Sequence, residues 1–115
     1  MNRGDIVLVN LPAPTSGSGY EEMGNRPALV VHNDATSGVL SVVMIVPFTS
    51  KMGAQRFPHA MVVQPSAANG LSCPSVLTVL QLRAIDKRRI GRVVGRLEAG
   101  TMEMVDEELK GLLGL

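Results

Sequence analysis

Through most of the chain the apolar residues come in short blocks rather than at helical spacing, and Gly, Pro, Asn and Asp cut the blocks apart. Ile6-Val7-Leu8-Val9-Asn10-Leu11 is rich in β-branched residues and closed by Pro12, which predicts a first strand. The runs over 27–32 and 41–48 are almost continuously apolar, the pattern of strands covered on both faces. Asn33-Asp34 and Ser37-Gly38 supply turn residues between them. Pro47 lacks an N–H for a ladder, so it is expected to mark the end of pairing or a sheet edge. Further strands are expected over 59–63 and 75–82, and a short last one at Val93-Val94 between Gly91 and Gly95. After residue 100 the period changes. Met102, Val105, Leu109, Leu112 and Leu113 recur at helical spacing, with acids toward the first turns and Thr101 as the expected cap. Five or six short strands and one terminal helix, without strand–helix alternation, predict a single mainly β domain built as a small, strongly bent antiparallel sheet or barrel.

The interruptions hold the candidate chemistry. Residues 12–24 form a Pro-, Ser-, Gly- and Thr-rich loop of a length that usually serves a function or stays disordered. It runs into Glu21-Glu22-Met23-Gly24-Asn25-Arg26-Pro27, where Pro27 steers the Arg26 backbone to an extended conformation at the mouth of the second strand. A guanidinium fixed on a rigid element near a loop carboxylate, Glu21, suits a phosphodiester; the same residues also make an ordinary exposed ion pair. Thr49-Ser50 places two hydroxyls at the exit of the third strand, where they either bind a ligand oxygen or cap a turn. Gln81 either bonds a base edge or locks strand to loop. His32 and His59 stand at the edges of apolar runs and read as structural.

Charge and cysteine narrow the classes. Eleven Lys and Arg against ten Asp and Glu leave a net charge of +1, so no general attraction to nucleic acid or membrane follows from the total. The distribution is uneven: Arg83, Lys87, Arg88, Arg89, Arg92 and Arg96 cluster, and Glu103, Asp106, Glu107 and Glu108 follow. The basic cluster is either an RNA-facing patch or a solvated rim. Asp86 is expected to cap a short helical turn there. The single Cys73 excludes an internal disulfide. No long apolar region follows the first residues and no stretch reaches the ~18 residues of a membrane span, so a cytoplasmic protein without signal peptide or membrane contact is expected. Tyr20, Phe48 and Phe57 are too few aromatics for an extensive base-stacking platform. No His, Cys or Asp spacing fits a zinc site, and no metal is expected.

Four segments then align with a known family. Arg3-Gly4-Asp5-Ile6, Glu21 with Gly24-Asn25-Arg26-Pro27, Val46-Pro47-Phe48-Thr49-Ser50, and Gln81-Leu82-Arg83-Ala84-Ile85-Asp86-Lys87 occur in the order and approximate spacing of the MazF/PemK toxins. The chain resembles that family over nearly its whole length. The resemblance implies an SH3-like antiparallel barrel of the CcdB/MazF type with a C-terminal helix. It also implies a homodimeric endoribonuclease of a toxin–antitoxin pair, cutting single-stranded RNA without metal or cofactor. Such enzymes are silenced by a cognate antitoxin and meet DNA only through it.

The resemblance assigns catalysis to Arg26 and Thr49, with Glu21 as the loop carboxylate. Tyr20, Ser50, Lys51, Thr78, Gln81 and Arg83 are expected to contact RNA. Metal-free cleavage needs a base for the 2'-hydroxyl, an acid for the departing 5'-oxygen and donors for the phosphorane, and leaves 2',3'-cyclic phosphate and 5'-hydroxyl ends. Arg26 suits the third task, and its high intrinsic pKa makes it a poor free base. Two departures stand out. Leu80 occupies a position where the family commonly has an acid, and the first loop is longer than usual, with Tyr20 in place of a small residue; both are expected to shift sequence preference more than chemistry. Alternative classes are a gyrase poison of related fold, which relies on a C-terminal tryptophan this chain lacks, and an RNA-binding or antitoxin-sequestering homologue, which Leu80 keeps open.

Overall fold

The computed structural model describes residues 1–12, 24–33 and 41–115. Seven strands appear in them: β1 (Asp5–Leu11), β2 (Gly24–Val30), β3 (Val42–Thr49), β4 (Ala60–Val63), β5 (Ser75–Thr78), β6 (Arg83–Asp86) and β7 (Ile90–Arg96). One α-helix, α1 (Ala99–Leu113), ends the described chain. All pairings are antiparallel, in the order β4-β5-β3-β2-β1-β7 with β6 also on β3. Among the described residues no pairing joins β4 to β7, so the expected barrel is seen as an open, bent sheet.

The bend is concentrated in β3. Its first half, Val42–Ile45 in register terms, lies against β6, while Phe48 and Thr49 lie against β5. The single expected strand over 75–82 therefore breaks into β5, a 3-10 turn at Val79–Gln81, and β6. Composition gave no sign of that break, because a straight apolar run and a kinked one have the same residues. Pro47 does not end β3. It is the last partner of β2, opposite Ala28, and the strand continues past it onto β5. Its carbonyl accepts the buried Thr78 hydroxyl at 2.7 Å, which pins the changeover.

Both faces of the central strands are buried, as their unbroken hydrophobicity predicts. Val7, Val9, Leu11, Ala28, Val30, Val43, Ile45 and Ile85 make one cluster. The alternate residues Ile6, Leu29, Val46 and Phe48 make the other with Val63, Leu71, Leu77, Leu97 and Val105, under Met102, Leu109 and Leu112. The period of two along each strand divides one run between two cores. Each fully buried aliphatic side chain contributes about 1.5–3 kcal/mol relative to exposure. The helix starts three residues earlier than expected, with Glu98 rather than Thr101 at its N-cap. Arg3 ties it to the chain start through an ion pair with Asp106 and donates Nε–H to the Val31 carbonyl at 3.2 Å.

The segment 64–74 is closed by a buried asparagine. Asn69 Oδ1 accepts from the Ser66 and Leu71 amides at 2.9 and 3.0 Å, and its Nδ2 donates to the Gln64 carbonyl at 2.9 Å and to Glu98 at 3.4 Å. Backbone meets backbone there: a Cβ on Gly70, whose φ is +68°, would lie 2.1 Å from the Val94 carbonyl oxygen. Only glycine allows both that φ and that approach.

Candidate active site

Arg26 is extended, as Pro27 dictates, but it lies within the β1–β2 ladder opposite Val9 rather than at the mouth of a strand. On the other edge of β2 the register sets Ala28 against Pro47. Carried two residues outward, that register sets Arg26 against Thr49. The β2–β3 backbone ladder has ended there, because β3 has turned onto β5. The Arg26 side chain takes its place, with Nη1 donating to the Phe48 carbonyl at 3.2 Å. That bond helps to hold the guanidinium fork in place.

Thr49 is buried to 4 % exposure, and its Oγ1 accepts the Lys51 amide at 3.2 Å. That turn-closing bond uses a lone pair and leaves the hydroxyl proton for donation. The capping role and the ligand-binding role are therefore compatible in one side chain. Ser50 is exposed beside it. Arg26, Thr49 and Ser50 line one cavity of about 240 Å³, together with Asn25, Ser72 and Cys73. Its described walls carry a guanidinium, hydroxyls, an amide and a thiol, and no His, Asp or Glu. Such a lining can hold and neutralise an oxyanion; it supplies no ordinary general base.

Sequence reasoning missed the wall formed by Leu71, Ser72 and Cys73. No motif marks them. They reach the site because the Asn69 turn folds segment 64–74 back beside the end of β3.

Asn25, Arg26, Pro27 and Ser72 also line a second, larger space of about 750 Å³. Its far side is formed by Arg88, Arg89 and Gly91. Arg88 and Arg89 belong to the 3-10 turn Lys87–Arg89, which Asp86 caps as expected by accepting the Arg88 amide at 2.8 Å. Asp86 also grips the Arg88 guanidinium through two bonds of 3.1 and 2.9 Å. Those hydrogen bonds, side-chain first and then backbone, lower its pKa from 3.8 to about 2.

The remaining expected contacts fall elsewhere. Thr78 is buried, with its hydroxyl committed to Pro47, so it is a structural link and presents no hydroxyl to the cavity. Lys51 is exposed and touches the site through its backbone amide. Gln81 and Arg83 are half-buried on the turn and strand after β5 and line neither space around Arg26. Tyr20 and Glu21 lie outside the described residues. His32 accepts the Met44 amide at 3.3 Å and His59 pairs with Glu108 at 3.5 Å, both structural as expected. Among the described residues no three His, Cys, Asp or Glu side chains gather as a metal site would require. A third cavity is lined mainly by the apolar Val31, Met44, Leu82, Leu109 and Leu113, with His32 and Asn33 beside them.

The family model described as a PemK-like, MazF-like toxin of type II toxin-antitoxin systems matches residues 2–113. The chain belongs to this family. Endoribonuclease EndoA of Bacillus subtilis is 30% identical over 115 residues, covering 100% of this chain and 96% of that protein. MazF from Deinococcus radiodurans superposes with a TM-score of 0.78 at 28% identity, over 100% of this chain and 97% of that one. In a MazE-MazF complex from the same organism the TM-score is 0.73 at 30% identity, over 100% and 96%. The mainly antiparallel β architecture with a C-terminal helix is thus the MazF-like fold, and the chain has endoribonuclease homologues.

Proposed function

We propose that this MazF-family chain cuts single-stranded RNA by attack of a 2'-hydroxyl on the adjacent phosphorus, without a metal ion, and is held silent by a cognate antitoxin. The observation that carries the reading is the convergence of Arg26 and Thr49 on one cavity, with Arg26 anchored on the Phe48 carbonyl. The 2'-oxygen bonds to phosphorus and loses its proton; the P–O5' bond breaks and the 5'-oxygen takes a proton. The products are a 2',3'-cyclic phosphate and a 5'-hydroxyl. Arg26 neutralises the non-bridging oxygens of the phosphorane, and the Thr49 hydroxyl with the Ser50 amide donates to one of them. Since the described walls offer no carboxylate or imidazole, Glu21 from the first loop is the proposed base.

A homodimer follows from the family resemblance, each groove being completed by the partner subunit; Gln81 and Arg83 would then serve the groove across the interface. The complex of MazE with the Deinococcus MazF supports an antitoxin partner of the same kind.

Incubation of the purified chain with a long RNA in excess chelator tests the reaction. Cleavage with cyclic-phosphate and 5'-hydroxyl ends is expected, falling about 10³-fold in folded Arg26→Ala, the scale of losing one oxyanion donor. Fragments with 5'-phosphate ends, or full activity in that variant, overturn the mechanism. No cleavage of any RNA by the folded chain overturns the enzymatic reading. Light scattering at micromolar protein checks the dimer, and a monomer there contradicts it.

A further inference from the structure

We infer that the Arg88–Arg89 turn binds a substrate phosphate away from the scissile one, so that the RNA track runs from Thr49 past Arg26 to the start of β7. The inference rests on the nuclease reading and extends it to residues that reading leaves unused. Three observations converge. First, the two spaces that meet at Arg26 share Asn25, Arg26, Pro27 and Ser72, which sets them side by side along one path. Second, β1 carries the two ends in register: Val9 faces Arg26 on one side and Ile90, the neighbour of Arg89, on the other. Two strand spacings separate those rows, about 10 Å, which a short oligonucleotide spans easily. Third, the charged side chains of the described lining are all cationic, Arg26, Arg88 and Arg89, with no carboxylate among them.

The two arginines of the turn differ in setting. Arg88 is gripped by Asp86, which partly neutralises it and fixes its plane. Arg89 is exposed, and no ion pair or hydrogen bond of its side chain is seen among the described residues. Arg89 is therefore the stronger phosphate ligand, with Arg88 holding the turn's shape. Phosphate contacts position a strand and carry no base information, so this end of the groove sets register without setting sequence.

The test measures binding of a single-stranded RNA made uncleavable by a 2'-deoxy sugar at the cut site, as a function of salt. Arg89→Ala is expected to weaken binding five- to tenfold at low salt for every sequence tried. Its log K against log salt slope should flatten by about 0.7, the loss of one single-strand phosphate contact. With cleavable RNA the loss should appear in KM rather than kcat. Lys110→Ala, which removes a cation from α1, should leave affinity and slope alone. Unchanged affinity and slope in Arg89→Ala, in a wild type that binds and cuts RNA, overturn this inference and leave the nuclease reading standing. An equal effect of Lys110→Ala overturns it in favour of general charge, and a wild type that neither binds nor cuts RNA overturns both.

Discussion

Replacing Asn69 by alanine separates the turn that builds one wall of the site from the chemistry inside it. The side chain is 1 % exposed, and its loss removes acceptance from the Ser66 and Leu71 amides and donation to the Gln64 carbonyl, all at 2.9–3.0 Å, with a longer bond to Glu98 at 3.4 Å. Each short bond is worth about 1 kcal/mol net, and a partner left buried without water costs up to the full desolvation penalty. About 3 kcal/mol is therefore expected, a large share of the 5–15 kcal/mol typical of a small domain. For a domain of this size that is a fall of about 10 °C in Tm, or of about 1–3 M in the urea midpoint. Asn69→Asp keeps both acceptances but sets a carboxylate against Glu98, so it should fall between wild type and Asn69→Ala and recover stability as pH drops below the carboxylate range. Cleavage by Asn69→Ala, measured well below its Tm, should also slow, because Leu71, Ser72 and Cys73 hang from this turn beside Arg26. Urea titrations with an unchanged m-value give the stability. A loss under 1 kcal/mol, or full stability loss with unaltered cleavage, refutes the reasoning.

Two further outcomes follow from the same geometry. Thr49→Val, nearly isosteric, should keep the fold while cutting kcat about 10²–10³-fold, and Thr49→Ser should restore most of it; equal activity in Val and Ser variants removes the hydroxyl from the mechanism. Asp86 has a folded-state pKa lowered from 3.8 to about 2, so its contribution is present above 3.8 and disappears as pH falls toward 2. Glu98, lowered by the Ser66 hydroxyl, its own amide and Asn69, acts in the same direction. Urea midpoints taken between pH 5 and pH 2 should therefore fall less steeply in Asp86→Asn than in wild type, as an order-of-magnitude consequence of that shift; parallel curves contradict the assignment.

Several elements are legible in the local sequence alone. The β-branched block 6–11, the two-faced runs of β2 and β3 and the helical period of α1 are local patterns, and each formed nearly where its pattern lay. Asp86 at its turn is legible for the same reason, because its partner Arg88 lies two positions on, whereas His32 and His59 find their partners Met44 and Glu108 only through the fold. The break between β5 and β6 is not legible, since β3 alone, by changing partners along its length, imposes it. Nor is Thr78, whose polar side chain looked available and is spent on a carbonyl 31 positions away. The wall at Leu71–Cys73 was invisible because segment 64–74 has no motif, only a turn that happens to close on the right neighbour.

Sequence alone determined the residue types that handle a phosphodiester, the extended backbone at Arg26 and the family those motifs resemble, because these depend on covalent structure and short-range sterics. The tertiary structure decided which of them meet. Arg26 and Thr49 are 23 positions apart and share a cavity only through the β2–β3 register, while Arg89, 63 positions from Arg26, comes alongside through β1. Strand pairing is a long-range choice made by burying two hydrophobic faces at once, and no window of the sequence contains it.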